Sequence, residues 1–291
     1  MTLRRIERLL RDARYSANVQ DIDALSDEIM LYYANRTQSM IEDRLFKINS
    51  MNNLFMDEQE ITIVDGQIEY DLNFDVYALN SIKSVGIRRD ASVGYIIEPL
   101  DFISEKESGM RLGYYLREGK IGLNFQKTSN GPVVIKYNRK IPSLWKRFGA
   151  AITSSGVGTV TVGATTDDIL TFDDFFCTVD ADGAIQSRNN RISTYNTATG
   201  VLTFTAGTGT IANGEYVVVG KYATTHSQLP QECEKVFLEI LERRIAQRQS
   251  QADIAVISGL TEAEIQSIED VFAKGNDDNE VPPTPNYSEF I

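Results

Sequence analysis

The side chains that could do chemistry are few and far apart in this sequence. It has one histidine, His226, and two cysteines, Cys177 and Cys233. A Ser/His/Asp or Cys/His site would have to use His226 and recruit distant partners that no motif marks. One histidine and two isolated cysteines fall short of a zinc ligand set, and no phosphate-binding glycine motif occurs. We therefore predict no catalytic residue, no metal site and no cofactor.

Acidic residues provide two alternatives to that interpretation. The stretch TTDDILTFDD contains four aspartates whose carboxylates could bind calcium, namely Asp167, Asp168, Asp173 and Asp174. Their spacing matches no EF-hand loop, and acidic pairs at strand ends are usually solvated turns, so ion binding stays open. A pair of carboxylates could also cleave a glycosidic bond. The chain has 41 Asp and Glu residues, and the sequence does not select a pair among them.

The charge balance limits the class of partner. The formal net charge is −12 at pH 7. Gripping nucleic acid requires clustered Lys and Arg, so we do not expect that to be the main task. An acidic wall would instead let a passing duplex slide, because it repels phosphate. We expect neither a signal peptide nor a membrane span, since no apolar run approaches the roughly 20 residues that a span needs.

Helical patterns occupy both ends of the chain. Apolar residues within 3–10 lie on one side of a short amphipathic helix, and a longer helix is predicted over 21–51. Toward the other end, Pro230 suits the first position of a helix over 231–249. A capping box at 261–264 predicts one more helix.

Between these ends, residues 60–141 alternate in the manner of strands. In ITIVDGQIEYDL, Asp65-Gly66 lies between two alternating runs and predicts a β-hairpin. We interpret it as a packing device that docks onto the N-terminal helices and directs an aromatic patch. The residues assigned to this packing hairpin are Gly66, Tyr70, Leu72, Phe74 and Tyr77. Glu118-Gly119 predicts a second hairpin in YYLREGKIGLNF.

The composition changes after this segment. Residues 148–224 are rich in Gly, Thr, Ala and Val, with short strands and regular turn signals that suit a sandwich or barrel. The tail over 275–291 is polar and proline-containing but has Tyr287, Phe290 and Ile291 near its end. Alone in water such a tail is expected to be extended, and its aromatic end predicts docking on a neighbouring subunit or partner.

These patterns together predict an α+β fold. We expect a helical bundle with a small antiparallel β unit, an inserted all-β module of sandwich or barrel type, and an extended C-terminal tail. The domains would be a core over 1–147 and 225–274, the insert over 148–224, and the docking tail over 275–291.

The order of these elements resembles the head-to-tail adaptor, or connector, proteins of tailed bacteriophages, especially short-tailed ones. That family has a G-x-x-x-Y-x-L hairpin leading into x-x-F-x-x-L-x-S-V, a later G-x-I-x-L-x-F strand pair, an I-x-Y strand, and L-P opening a helix. The matching residues are Gly66, Tyr70 and Leu72; Phe74 to Val85; Gly119 to Phe125; Ile135 and Tyr137; Leu229 and Pro230. The resemblance covers residues 1–141 and 229–273, and its motifs encode strands and turns. It departs between Tyr137 and Pro230, where the family has a short loop and this chain has the β module.

The resemblance implies a virion structural protein, made in the host bacterial cytoplasm and located at the neck between capsid and tail. It would form a twelvefold homo-oligomeric ring under the portal protein, with DNA passing through without specific binding. The helices over 21–51 and 231–249 would form the ring wall and contact the portal. Residues 148–224 would point outward or toward the tail and hold a nozzle, tail fibre or decorating protein. No membrane partner is implied.

Two other classes of function remain as alternatives. One is a virion-associated peptidoglycan-cleaving enzyme that uses a carboxylate pair. The other is a carbohydrate-binding module, residues 148–224, carried on a helical scaffold. Neither has a motif in the sequence, so we expect a protein that is not an enzyme.

Overall fold

The computed structural model describes residues 5–16, 26–47, 55–73, 75–88, 97–105, 112–124, 131–163 and 174–250, and the single positions Ala263 and Gln266. The chain divides into two compact units. One comprises Asn49–Lys140, and the other combines Met1–Ile48 with Ile141–Ile291.

The unit over Asn49–Lys140 contains two small antiparallel sheets. Its strands are β1 (Met56–Ile61), β2 (Glu69–Asp71), β3 (Ile82–Arg88), β4 (Ile97–Pro99), β5 (Gly113–Arg117), β6 (Lys120–Asn124) and β7 (Val133–Asn138). One sheet has the order β1-β7-β3-β4, and the other has the order β2-β6-β5. A short 3₁₀ turn, Leu79–Ser81, precedes β3.

The core of this unit is built by alternate residues of both sheets, as the two-residue period of a strand requires. It is formed by the buried side chains Ile61, Tyr70, Val85, Ile87, Ile121, Leu123, Val133, Ile135 and Tyr137. The two sheets therefore bury one face each against a common core.

The turn between β5 and β6 forms where the sequence predicted it. Glu118 and Gly119 have φ angles of 47° and 80°, the pair of positive values that a tight hairpin turn requires. Arg117 pairs with Lys120 across the turn. The hairpin predicted at Glu118-Gly119 is confirmed.

The second unit contains the helices α1 (Ile6–Ser16), α2 (Asp27–Leu45) and α3 (Gln231–Ser250). The Oγ of Ser26 caps α2 by accepting a hydrogen bond from the Ile29 amide, and Asp27 and Glu28 carry acidic charge in its first turn. Apolar stripes hold the helices together, because residues three and four apart share one face. The fully buried members are Ile6, Leu9, Ala13, Met30, Leu31, Ala34, Ile41, Leu45, Ile240, Leu241 and Ile245.

The same unit contains a large antiparallel sheet. Its strands are β9 (Arg147–Phe148), β10 (Ser154–Gly156), β11 (Thr159–Thr161), β12 (Phe175–Val179), β13 (Ile185–Asn196), β14 (Val201–Thr205), β15 (Thr208–Gly209) and β16 (Tyr216–Val219). Their order is β10-β11-β14-β13-β12-β16-β9, and β15 pairs with β13. Two further short strands, β8 (Ser143–Leu144) and β17 (Ala223–Thr224), pair in parallel.

Backbone hydrogen bonds made by the segment that links β9 to β10 close this sheet on itself. The Ala150 amide donates to the Val162 carbonyl at 3.1 Å, and the Ile152 amide donates to the Glu215 carbonyl at 2.7 Å. The segment from β9 to β10 thus pairs with β16 on one side and with β11 on the other. A closed barrel results, with a core that includes Phe148, Val160, Phe176, Ile192 and Leu202.

The predicted fold class is wrong in its balance. Strands make up 41% of the structure and helices 26%, so the protein is mainly β with a few helices, not a helical bundle with a small β unit. The helical periodicity located real helices, but α2 begins at Asp27 and ends at Leu45, well inside the predicted 21–51. Short strands, each with only two or three alternating residues, provided a weaker signal than the helical stripes.

The strand pairing around Gly66 also differs from the prediction. β1 pairs with β7 and β2 pairs with β6, so the runs on either side of Asp65-Gly66 enter different sheets instead of forming one hairpin. The turn itself is present. The predicted division into core, insert and tail stays a prediction, and the helix predicted after 261 lies outside the described residues.

Candidate assembly sites

Tyr70 holds the turn at Gly66. Its hydroxyl accepts a hydrogen bond from the Val64 amide at 3.0 Å and lies 3.1 Å from the Gln67 carbonyl, to which it can donate. Gly66 has a φ of 79°, in the left-handed region that favours glycine. Tyr70 itself is 7% exposed. The predicted packing residue therefore joins the buried core to an exposed turn.

The chain just beyond β2 is fastened by Gln59 on β1. The Gln59 amide donates to the Asp71 carbonyl at 2.9 Å, and its Oε1 accepts from the Asn73 amide at 2.8 Å. The Leu72 amide donates to the Gly119 carbonyl at 3.1 Å. Leu72 packs against the core. This connection is thus pinned from both sheets.

Tyr77 lies on a short segment attached to the end of β7. Its amide donates to the Asn138 carbonyl at 2.9 Å. Nearby, the Oδ1 of the fully buried Asp75 accepts a hydrogen bond from the Tyr137 hydroxyl at 3.3 Å. A buried carboxylate needs such donors, so Asp75 and Tyr137 serve structure at this position. The remaining predicted site residues, Phe74, Tyr287, Phe290 and Ile291, lie outside the described residues.

Large apolar side chains remain exposed in the unit over 49–140. Ile68, Phe102 and Leu112 are 58%, 65% and 61% exposed, and we call these three residues the apolar rim. Phe102 packs edge-on against Tyr114, with ring centroids 5.5 Å apart. Register places Ile68 opposite Leu123, and Leu123 opposite Tyr114, so a row of apolar residues spans the β2-β6-β5 sheet and is uncovered at both ends.

The other unit exposes apolar side chains as well. Tyr15 on α1 is 88% exposed and Tyr32 on α2 is 60% exposed. Val157, at the tip of the β10–β11 hairpin, has full exposure. Single exposed apolar residues are ordinary on a protein surface, but several aromatic and aliphatic ones are typical of contact surfaces.

The lone histidine, His226, is buried beside a threonine hydroxyl. His226 is 5% exposed, and its Nδ1 lies 2.8 Å from the Thr225 hydroxyl. Burial, together with the positive charges of Arg147 and Arg5, lowers the pKa of His226. Among the described residues no carboxylate hydrogen-bonds to the ring, and the lowered pKa favours the neutral imidazole. The Ile6 amide donates to the Thr225 carbonyl beside it, at 2.7 Å, and attaches the start of α1.

The two cysteines are unreactive thiols. Both are free and buried. Burial raises the pKa of Cys177 to about 11 and that of Cys233 to about 12, so the nucleophilic thiolate is scarce at neutral pH.

The described residues hold no group of three or more His, Cys, Asp or Glu side chains arranged to bind an ion. Of the four clustered aspartates, only Asp174 is described, and Asp167, Asp168 and Asp173 lie outside. None of the helices within the described ranges has the length and apolar content needed to cross a bilayer.

Sequence reasoning missed a set of polar residues on α2. Asn35, Gln38 and Glu42 lie on one face of the helix and all hydrogen-bond to the extended segment 141–144. The Asn35 side chain accepts from the Leu144 amide at 2.7 Å and donates to the Leu144 carbonyl at 2.9 Å. Gln38 donates to the Pro142 carbonyl at 2.9 Å. Glu42 accepts from the Ile141 amide. Polar residues at i, i+3 and i+7 inside an apolar stripe were the available signal.

Asp27 was missed as well. Its Oδ1 lies 2.6 Å from the Arg14 Nη2 on α1, and its Oδ2 forms a second ion pair with Lys146. Partial burial alone would raise the pKa of Asp27, but the hydrogen bonds from Lys146 and Arg14 outweigh burial and hold the pKa below its ordinary value. This carboxylate therefore ties α1, α2 and the chain after β8 together.

Comparison with known proteins adds no relative to this picture. No family model matches the chain, and no curated protein matches it significantly.

Proposed function

We propose that this protein is a structural component of a bacteriophage virion, a head-to-tail adaptor. Copies assemble into a closed ring between the portal protein and the tail, and DNA passes through the central channel. The order of elements that resembles the adaptor family is the starting point of the proposal.

Exposed apolar side chains are the structural observation that supports the proposal most. Large apolar side chains are exposed on both compact units, including Phe102 at 65% and Tyr15 at 88%. Leaving these side chains in water costs free energy that burial against another subunit would recover, at roughly 25 cal/mol per Å² of apolar surface. A ring subunit has two neighbours and partners at both ends, so it needs several such surfaces.

The chemistry of the described residues agrees with a structural role. The imidazole of His226 is buried and hydrogen-bonded to a neighbouring hydroxyl, not to a carboxylate. Both thiols have pKa values far above neutrality. These side chains stabilise the fold and leave no activated nucleophile among themselves.

The charge of the chain suits a channel wall. A net charge of −12 repels the phosphates of a duplex and so disfavours tight binding to the passing DNA.

The proposal is tested by mixing the purified protein with the portal protein of the same phage. Negative-stain electron microscopy should show a ring of added density at one end of the portal. Replacing Ile68 and Phe102 by Asp should abolish ring formation and leave a protein that still unfolds cooperatively on heating, since both side chains are more than half exposed. The double variant Asn80→Asp and Ser84→Asp, which adds the same charge at two exposed polar positions of the same unit, serves as the control.

Removing residues 276–291 tests the docking tail separately. The truncated protein should remain folded and fail to join the portal. A wild-type protein that stays monomeric and has no affinity for portal or tail components would refute the adaptor function. Loss of cell-wall turbidity with purified protein would instead favour the peptidoglycan-cleaving alternative.

A further inference from the structure

Two arginines lie side by side on the paired helices α2 and α3. The Arg244 guanidinium reaches α2, where its Nη2 is 2.7 Å from the Met40 sulfur. Arg36 precedes Met40 by four residues, one helical turn along the same face of α2. Arg36 is exposed and Arg244 is half-buried, so both charges are within reach of a binding partner.

Neither guanidinium has a counter-charge in the described structure. No described carboxylate lies within the 4.0 Å ion-pair distance of Arg36 or Arg244. Burial, and then the charge of Arg36, lower the pKa of Arg244, as expected for two like charges held together. A half-buried cation beside another cation is costly unless an anion pairs with it.

We propose that Arg36 and Arg244 form a docking site for the acidic run Asp277, Asp278 and Glu280 of a second copy of this chain. Guanidinium groups bind carboxylates through two parallel hydrogen bonds, and two adjacent guanidiniums match a segment with several closely spaced acids. The run holds three carboxylates in four consecutive positions. It precedes the predicted anchors Tyr287, Phe290 and Ile291 by a short proline-containing stretch, residues 281–286.

The surroundings of the pair favour a peptide over nucleic acid. Tyr32 is 60% exposed next to Tyr33, with ring centroids 5.6 Å apart, and offers an aromatic surface to the apolar end of the tail. Binding a duplex requires clustered Lys and Arg along its phosphates, and the net charge of −12 disfavours it. The inference rests on the proposed ring, because it assigns the tail of one subunit a site on the next.

Charge reversal followed by mixing tests this contact. One variant carries Arg36→Glu and Arg244→Glu, and the other carries Asp277→Lys, Asp278→Lys and Glu280→Lys. Each variant alone should self-associate about tenfold more weakly than the wild type in sedimentation velocity, because like charges then face each other. An equimolar mixture should restore association to near the wild-type level, since every acidic segment again meets a basic one. The restoration also shows that both variants are folded.

The control carries Arg8→Glu and Arg11→Glu, which make the same charge change at two exposed arginines of α1. It should change self-association less than twofold. Rising salt should weaken wild-type association and the mixed pair in the same way.

Three outcomes would overturn the inference. The first is a mixture of the two variants that self-associates no better than either variant alone. The second is a variant with Arg36→Glu and Arg244→Glu that self-associates as well as the wild type. The third is a labelled DNA duplex that binds the wild type and not the Arg variant, which would assign the pair to phosphate. Ring formation in electron microscopy is scored independently. A wild type that pairs through this contact but forms no ring would refute the adaptor function and leave the contact standing.

Discussion

The hydroxyl oxygen of Tyr70 lies 3.0 Å from the backbone nitrogen of Val64, and this hydrogen bond connects a core side chain to the Gly66 turn. The chain leaves the sheet of β1 just before this turn and enters the sheet of β2 just after it. Tyr70 thus holds the crossing between the two sheets of its unit.

Removing this hydroxyl should destabilise the protein. Tyr70→Phe keeps the buried ring but leaves the Val64 amide without its partner, so we expect the free energy of unfolding to fall by about 1–2 kcal/mol. Urea titration measures the change. Tyr15→Phe is the control, because Tyr15 is 88% exposed and should lose nothing. Equal stability of Tyr70→Phe and the wild type would show that water replaces the phenol.

The loss of stability on replacing Gly66 should depend only on how readily the new residue adopts a positive φ. An added Cβ would meet no atom within 4 Å, so Gly66→Ala introduces no steric contact, but its φ of 79° is unfavourable for alanine. We expect a cost of about 1 kcal/mol in the free energy of unfolding. Gly66→Asn should cost less, because asparagine adopts this conformation more readily. The order Gly, Asn, Ala in thermal unfolding is the result to check, and an alanine variant as stable as the asparagine variant would contradict it.

Asn35 should be essential for holding the segment after β7 onto α2. Asn35→Ala removes both hydrogen bonds to Leu144 and leaves two backbone groups unpaired, so we expect about 2 kcal/mol lower stability. Ser39→Ala, at an exposed position of the same helix, should have little effect. Hydrogen exchange of the Leu144 amide gives a local readout: it should accelerate in Asn35→Ala and not in Ser39→Ala.

The ion pairs of Asp27 should make the stability of the folded protein depend on pH in the acid range. Its pKa is lowered in the folded state from the ordinary value of 3.8, so its ion pairs stabilise the protein above that pH. This contribution should disappear as the pH falls through the lower, folded-state pKa. Asp27→Asn should therefore be about 1 kcal/mol less stable than the wild type at pH 7, and the gap should close below pH 3.8.

Asp71→Asn is the matched control for that titration, since the Asp71 side chain is 87% exposed and 3.8 Å from Lys120. At pH 7 its stability should be close to that of the wild type, because an exposed ion pair contributes little. A gap between Asp27→Asn and the wild type that persists unchanged at low pH would assign the effect to packing instead of charge.

Local features of the fold could be predicted from the sequence because they depend on neighbouring residues. Glu118-Gly119 supplies two residues that accept positive φ, and the hairpin there follows directly. The stripes Ile6–Leu9–Leu10 and Ile240–Leu241–Ile245 are buried as their spacing predicted.

Partnerships between distant residues required the tertiary structure. Nothing near Asp65-Gly66 indicates that β1 will pair with β7, about 70 residues away, because a local turn signal reports only on adjacent strands. The same holds for Asn35, whose partner Leu144 lies 109 positions further on. The pairing of Arg36 with Arg244 is equally invisible in the sequence.

The sequence by itself therefore determined the helix faces, the turn residues and the acidic surface, because each follows from short-range geometry or from composition. The tertiary structure decided that strands dominate, that the sheet of β9 to β16 closes into a barrel, and which apolar residues stay exposed. The physical reason is that burial and strand pairing join residues that are distant in the sequence. The side chain of Phe102 is equally hydrophobic whether it is buried or exposed, and only the folded chain leaves it 65% exposed.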